Sequence, residues 1–338
     1  MGQQSSHQEE PLPKYTSFSD NIYIKDLDQL PDEVLLLILS YVPARDLDYC
    51  RCVSRRWKCL VDSPTIWRIK CQRMNRRDVL HVADMCQNTP WKRLYMAKPF
   101  SRNLVLNPCG SGGPFVNYAV MGRNGRIFCG KDISTTKLLQ HWDIKNGGDG
   151  WAVERSRVAL EDGESPTCFV TSYGWCEKQQ IIDLVKEGLW EHFLDVHQPP
   201  ICISDWYGGR HDCGCVYSLK VQLLAVDKIA VLQEFAITPD PIPQWNDEKY
   251  TQVSHEFRGY GPGVRYVKFM HKGKDSQFWK GRYGARITNS SVIIKTSFKK
   301  FLLKLNQPNP YIKAQNYDYK KMLNPNYNSF SNNKDKLH

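Results

Sequence analysis

Nowhere in the 338-residue chain do about 18 apolar residues follow one another, which argues against a membrane-spanning helix. The first ten residues, Met1 to Glu10, also lack the apolar core that a secretory signal needs. The chain therefore reads as one that stays in the cytosol without stable membrane insertion. Equally absent are the patterns of common catalytic centres: no nucleophile stands with a base, and no carboxylates are paired. Asn146-Gly-Gly-Asp-Gly150 is glycine-rich but has neither the lysine nor the following helix of a phosphate-binding loop, and reads as a turn. No enzymatic activity is expected.

Twelve cysteines are present, but without a repeating spacing, so in a reducing compartment they read as small buried hydrophobes and no structural disulfides are expected. His211-Asp-Cys-Gly-Cys215 contains zinc-type ligands, yet a second cysteine pair at the required separation is missing and Cys215 opens a strand. Neither a metal nor another cofactor is expected. The formal charge of +11 raises the question of nucleic acid. From Thr296 onward, however, eight lysines face only Asp318 and Asp335, so more than half of that excess sits in the tail. The folded part is only mildly basic, and no nucleic-acid partner is expected.

What is there is enough for two folded units, with 41% hydrophobic residues to build their cores. Residues 1–25 are polar, contain Pro11 and Pro13 and show no apolar periodicity, which predicts a flexible leader. Within it, Gly2 and Ser6 fit the N-myristoylation pattern, although Glu9 and Glu10 oppose the basic second signal that stable anchoring needs.

Residues 26–72 change character. Pro31 suits a first helical position, and Asp32 and Glu33 put negative charge at the positive end of the dipole. The run Val34-Leu-Leu-Leu-Ile-Leu39 follows, apolar on every side, and Pro43 ends it. A second helix is predicted around Leu47 and Cys50, and a third from Val53, Trp57, Leu60 and Val61. Ser63-Pro64 caps a last turn carrying Ile66 and Trp67. So few helical residues cannot cover that many large apolar side chains by themselves, which predicts a partner for the uncovered surface.

These segments resemble the F-box: Leu30-Pro31-Asp32-Glu33, Val42-Pro43, Arg45-Asp46-Leu47, Cys52-Val53-Ser54-Arg55-Arg56-Trp57 and Asp62-Ser63-Pro64 with Trp67. The resemblance implies a helical plug for a Skp-type adaptor, which bridges to a cullin and its RING partner. Leu30, Pro31, Val34, Leu35 and Ile38 are the contact candidates. Residues 73–100, with Trp91, Leu94 and Tyr95 at helical spacing, predict a helical linker.

From residue 101 to 295 the chain turns to short extended runs between glycine-rich turns. Cys215 to Leu223 alternates most cleanly, with Cys215, Tyr217, Leu219, Val221 and Leu223 on one face. Ile229–Phe235, Val264–Met270 and Ile287–Lys295 are further strand candidates. One helix is predicted among them, from the spacing of Ile181, Leu184 and Val185 and from Gly188 as its closing residue. Many strands without intervening helices predict an antiparallel sandwich. The fold class expected for the whole chain is α+β multidomain.

Asn103-Leu with Asn107-Pro108, Asn146 to Trp151, Ser172 to Cys176, Asp205-Trp206-Tyr207, Tyr260-Gly-Pro-Gly-Val264 and Gly284 to Ser291 resemble the F-box-associated domain of the sugar-recognising F-box proteins. That resemblance implies a sandwich of about ten strands, jelly-roll or galactose-binding-like. It also implies a ligase subunit that binds the inner chitobiose of high-mannose N-glycans on misfolded glycoproteins leaving the endoplasmic reticulum, and hence work at that organelle's cytosolic face. Other members with the same fold do not bind glycans. The implied glycan-contacting positions are Arg210, His211, Asp212, Phe278, Trp279 and Lys280. An aromatic pair gives a sugar ring its platform, and charged groups give its hydroxyls donors and acceptors. Phe278 departs from the tyrosine typical of glycan binders, and His211 brings bulk and a titratable ring where a small residue is typical. Two alternatives stay open: the same ligase role with a non-glycan protein ligand, and a carbohydrate-binding chaperone outside the ligase. The tail, 296–338, is rich in Asn, Lys and Tyr and predicts disorder.

Overall fold

In the computed structural model the described residues are 27–86, 88–110, 139–156 and 167–296, with Val120, Met121, Ile127, Phe128, Val158 and Leu160. The leader 1–25 with its Gly2 pattern, and the tail from 297, lie outside them.

The helical module comprises α1 (Asp32–Tyr41), α2 (Leu47–Cys50), α3 (Arg55–Asp62) and α4 (Pro64–Arg73). Pro31, with an extended ψ of 152°, caps α1 rather than opening it, so Asp32 and Glu33 form the first turn. Val53 does not belong to the third helix as expected. Ser54 caps that helix through Trp57 N at 3.2 Å, which leaves Val53 outside it and exposed. Ser63 accepts from Thr65 N at 3.2 Å and Pro64 starts α4, as the sequence predicts.

Leu35 and Leu39, one turn apart on α1, join Leu47, Leu60, Val61, Ile66 and Trp67 in the module's core. Leu35, expected at the adaptor surface, is therefore fully buried in this core. Leu30 is half-buried against it, while Pro31, Val34 and Ile38 are exposed. Lys70 reaches back from α4 and its Nζ donates to Ser40 O at 2.9 Å and to Val42 O, occupying carbonyls that the end of α1 leaves open.

Two further helices follow, α5 (Arg77–Met85) and α6 (Trp91–Ala97). The Tyr95 ring lies 5.5 Å from that of Trp67, so α6 rests on the helical module. From its other side the Arg93 guanidinium donates to Val185 O in the β-domain, and just beyond it Arg102 pairs with Glu187.

Ten strands form the β-domain: β1 (Asp143–Gly147), β2 (Ala152–Arg155), β3 (Thr167–Val170), β4 (Cys176–Asp183), β5 (Ile201–Gly208), β6 (Cys215–Leu224), β7 (Val231–Ile237), β8 (Tyr250–Phe257), β9 (Tyr266–Asp275) and β10 (Arg286–Ile294). A separate two-stranded ribbon pairs Val120–Met121 with Ile127–Phe128. The ten strands make two antiparallel five-stranded sheets, in the orders β8-β5-β10-β3-β2 and β1-β4-β9-β6-β7. Their inner faces alternate as period two demands: Cys215, Tyr217, Leu219, Val221 and Leu223 of β6 are all buried. Tyr217 stacks on Tyr207 across the sandwich with ring centroids 4.3 Å apart.

The helix predicted around Ile181 is instead the end of a strand. Ile181 pairs with Lys268 and Ile182 with Val267 in the β4–β9 ladder, so adjacent residues face opposite ways, Ile181 exposed and Ile182 buried. A turn then carries Leu184 and Val185, and a strand end followed by a turn mimics helical spacing over so few residues. Gly188 does take a left-handed φ of 111°, and a Cβ there would stand 2.5 Å from that of Ala97.

Candidate functional site

Register brings the two predicted loops together. Asp275, the last residue of β9, pairs with Cys215, the first of β6, so the loop entering β6 and the loop leaving β9 share one end of the sheet. They are joined directly: Gly214 N donates to Gln277 Oε1 at 2.7 Å, and Ser276 N donates to Gly214 O at 3.0 Å. A third segment completes the end. Asn246 Nδ2 donates to Arg210 O at 2.6 Å and Cys213 O at 3.2 Å, and Gln244 Nε2 donates to Asp212 O at 3.0 Å.

The loop after β9 is organised by one buried carboxylate. Asp275 Oδ1 accepts from the backbone N–H groups of Gln277 and Phe278, the latter at 2.9 Å, and Oδ2 accepts from Trp279 N at 3.0 Å. Three converging N–H donors hold Phe278 in the left-handed region at φ 59°. The aromatic pair is thereby turned outward: Phe278 is 68% and Trp279 44% exposed, so neither caps the sandwich core. Lys280 beside them is exposed as well.

Behind this pair runs a line of contacts. The Trp279 ring meets that of Tyr283 edge-on at 6.2 Å, and the Arg210 guanidinium lies 5.0 Å from the Tyr283 centroid. Arg210 is also held by Asp212, Nε to Oδ1 at 2.5 Å and the terminal nitrogen to Oδ2 at 3.1 Å. Much of its donor fork is thus engaged inside the protein, and it braces the platform from the side. His211 Nδ1 lies 2.5 Å from Asn246 O, and its ring meets exposed Trp245 at 5.8 Å.

The zinc reading of this segment finds no support in the geometry. His211 is turned to Asn246 and Cys215 Sγ faces Gly208 O at 3.6 Å, so only Cys213 Sγ and Asp212 Oδ1 approach each other, at 3.6 Å, and Asp212 is bound to Arg210. Burial pushes the Cys215 thiol up to about 12, as expected for a side chain packed in the strand interior. Among the described residues no group of three or more His, Cys, Asp or Glu side chains is placed to hold an ion.

Sequence reasoning brought out Arg210, His211, Asp212, Phe278, Trp279 and Lys280, and these do sit at one end of the sandwich. It missed Asp275, Gln277, Tyr283, Trp245 and Asn246. Asp275 carried a signal, an aspartate at a strand end followed by Ser276, the usual opening of an Asx-type turn. Trp245 and Asn246 carried none, because only folding brings them to this end.

The helical module and the β-domain each match a family description: "F-box-like" over residues 27–73 and "F-box associated region" over residues 95–294. Among curated proteins, F-box only protein 27 of Mus musculus is 41% identical over 306 residues, covering 87% of this chain and 99% of that protein. F-box only protein 17 of Homo sapiens is 39% identical, covering 80% and 92%, and F-box only protein 6 of Bos taurus is 41% identical, covering 79% and 92%. A solved carbohydrate-binding module in complex with β-1,4-galactotriose aligns at a TM-score of 0.33 and 12% identity, over 58% of this chain and 100% of its own, too loosely to bear on function. With both modules matched and such relatives spanning most of its length, the chain belongs to the F-box only proteins that carry an F-box-associated region.

Proposed function

We propose that this protein is the client-recognition subunit of a Skp–cullin–F-box ubiquitin ligase, and that its sandwich reads the inner chitobiose of high-mannose N-glycans. The observation that carries the glycan reading is the outward Phe278–Trp279 pair, fixed by Asp275 at the sheet end where the other loops converge. Two flat, rigid, exposed aromatic faces beside Lys280 suit the C–H face of a sugar ring and its hydroxyl fringe. The ligase reading rests on family membership and on the exposed apolar face of α1, where Val34, Leu37 and Ile38 stay uncovered although Leu35 and Leu39 are buried.

In this reading the protein does no bond chemistry. It raises the local concentration of a misfolded glycoprotein near a ubiquitin-loaded enzyme, serving degradation of endoplasmic-reticulum clients, and the transfer is made by other subunits. No described helix is long and apolar enough to cross a membrane. A second reading, a non-glycan protein ligand at the same end, is favoured by one observation: Phe278 has no hydroxyl and the Arg210 fork is engaged by Asp212, so the site offers fewer polar contacts than a sugar can use.

A glycan array of the full chain and of Trp279→Ala separates these. Chitobiose-containing glycans are expected to bind the native chain and not the variant. No glycan signal at any concentration leaves the protein-ligand reading, and a signal indifferent to Trp279→Ala refutes the platform. Co-purification with the Skp-type adaptor, lost on Val34→Asp with Ile38→Asp, tests the ligase role and separates it from a free chaperone.

A further inference from the structure

We propose that the open edge of β7 takes an extended segment of the client polypeptide as an added strand, beside the glycan held at the platform. The proposal rests on the client-recognition reading above and adds to it a second contact, made to protein rather than to sugar.

Among the described residues β1, β2, β7 and β8 each pair on one side only, so they are the edges of the two sheets. Three of them lack the exposed apolar run that invites another strand. β1 has five residues, bears Asp143 and Lys145, and is interrupted by an irregular register after Ile144. β2 has four, of which Glu154 and Arg155 are charged. The exposed positions of β8 are Thr251, Gln252 and Ser254, all polar.

β7 is different. Its sequence Val231-Leu-Gln-Glu-Phe-Ala-Ile237 contains no lysine, glycine or proline, and Val231, Leu232 and Ile237 are 45%, 41% and 36% exposed. Its single charge, Glu234, is held on its own sheet by Lys220 at 3.3 Å and by Gln222 Nε2 at 2.5 Å, and so does not guard the edge. The guards sit at the ends instead, a bulge at Leu232 and the prolines Pro239, Pro241 and Pro243. Between them Phe235 faces inward opposite Val221 and stacks on His255 of β8, with ring centroids 4.3 Å apart. An added strand thus meets an aromatic wall next to open backbone donors and acceptors.

The size and direction of the edge select its occupant. Seven residues rise about 24 Å, and a contact of that length and about 10 Å depth covers roughly 240 Å² per partner. A stable dimer needs about 800 Å² per partner. Two copies paired antiparallel about the middle of the strand would also set Glu234 against Glu234. A single extended segment suits the edge, because main-chain hydrogen bonds supply its affinity and alternate apolar side chains its selection. Direction supplies the link to the client. Ile237 lies opposite Leu219, about 13 Å along β6 from Cys215, where the platform loops begin. Beyond it the chain reaches Ile242, which bridges to Cys215, and then Trp245 and Asn246 at the platform end. Polypeptide flanking a glycosylated asparagine is therefore within reach of β7, and a misfolded client offers extended segments that a folded one has already paired.

The test uses the full chain and a set of synthetic probes. One is chitobiosyl-asparagine alone. Another joins it through Gly-Ser-Gly-Ser to seven residues alternating valine and threonine, in either chain direction. A third carries prolines at alternate positions of those seven, which removes backbone donors. The Val-Thr conjugate in one direction is expected to bind at least about tenfold tighter than chitobiosyl-asparagine, to lose that gain in the proline form, and to slow amide exchange from Gln233 to Ile237. Leu232→Lys with Ala236→Lys guards the edge and should erase the gain while chitobiosyl-asparagine binds as before; Leu232→Thr with Ala236→Thr should keep it. Should the lysine pair fail to fold, the proline conjugate and amide exchange on the native chain decide alone. No gain over chitobiosyl-asparagine, or a gain that survives the prolines or the lysine pair, overturns the proposal and leaves the glycan reading intact. If chitobiosyl-asparagine does not bind and the conjugate still protects β7 from exchange, the glycan reading fails and the edge stands. Binding of no probe overturns both. A dimer seen by light scattering that the lysine pair dissolves also overturns the proposal, since a second copy would then be the occupant.

Discussion

Replacing Lys178 with methionine is expected to stabilise the sandwich, although the position lies in its interior. Lys178, on β4, is fully buried and its Nζ has no hydrogen-bond partner among the described residues. The nitrogen stands 3.0 Å from the Phe169 ring centroid, 3.5 Å from that of Trp142 and 5.3 Å from that of Trp151. Two effects oppose each other there. Aromatic faces attract an ammonium by about 2 kcal/mol when it is desolvated. Taking the ammonium out of water still costs several kcal/mol after relaxation. Burial is the larger effect, outweighing the attraction of Asp205, and pushes the amine well below its ordinary range. Burial thus disfavours the charged form, and the amine is left with an unmet hydrogen-bonding head, a deficit of about 1–3 kcal/mol.

Methionine has nearly the same length, removes the polar head and sets a thioether against the rings, a contact worth about 0.3–1.5 kcal/mol. The expected gain is about 1–3 kcal/mol, with the melting temperature rising about 2–4 °C for each kcal/mol in a domain of this size. The pH dependence supplies a second signature. With the folded pKa depressed below the unfolded 10.5, the unfolded chain binds one more proton anywhere between the two values. Native stability then rises with pH by about 1.4 kcal/mol per unit within that window, and the advantage of Lys178→Met shrinks as pH approaches the unfolded pKa. Urea unfolding followed by tryptophan fluorescence at two pH values in that window measures both. A methionine variant less stable than the native chain by an amount independent of pH would falsify the reasoning, since Lys178 would then be an ammonium held by its rings.

Three further outcomes follow from named contacts. Asp275→Ala leaves the N–H groups of Gln277, Phe278 and Trp279 without their acceptor, and should cost about 3 kcal/mol in urea unfolding and weaken glycan binding. Asp275→Asn keeps one oxygen and should lose less; equal losses would mean that the carboxylate is not the organiser. Gly188→Ala combines a φ of 111° with a Cβ 2.5 Å from that of Ala97, and is expected to lower stability by at least about 1–2 kcal/mol, where an unchanged melting curve would show that the linker yields freely. Ser63→Ala removes the cap on Thr65 N and should cost about 1 kcal/mol, read by thermal unfolding, with Ser63→Asp restoring most of it.

Legibility in the sequence followed the range of the interactions involved. Ser63 and Pro64 act on neighbours within a few residues, so the start of α4 was readable from them, whereas Ser54 went unread as a cap and Val53 was placed in the third helix. Ile181 was misread because three apolar residues at helical spacing satisfy a strand end and a turn equally well, and only the pairing with Lys268 on β9 chose between them. Leu35 was misread for a related reason. In an apolar run such as Val34 to Leu39 every position looks alike, and contact with the other helices selects which side is covered.

At the candidate site the same division holds. Phe278 and Trp279 stood out because no alternation placed them in the sandwich core. Their outward orientation, by contrast, depends on Asp275 being buried and on the donors that converge on it. Composition and local pattern were sufficient for the change from helical to extended character, the alternating face of β6 and the cap of α4, and they brought out the residues of the candidate platform. Tertiary structure alone decided that Cys215 pairs with Asp275, that Trp245 and Asn246 join the same end, and that Lys178, His271 and Asp205 meet inside the sandwich. Those outcomes join residues far apart in the chain, and such a contact is specified by the register of whole sheets rather than by any segment that contributes to it.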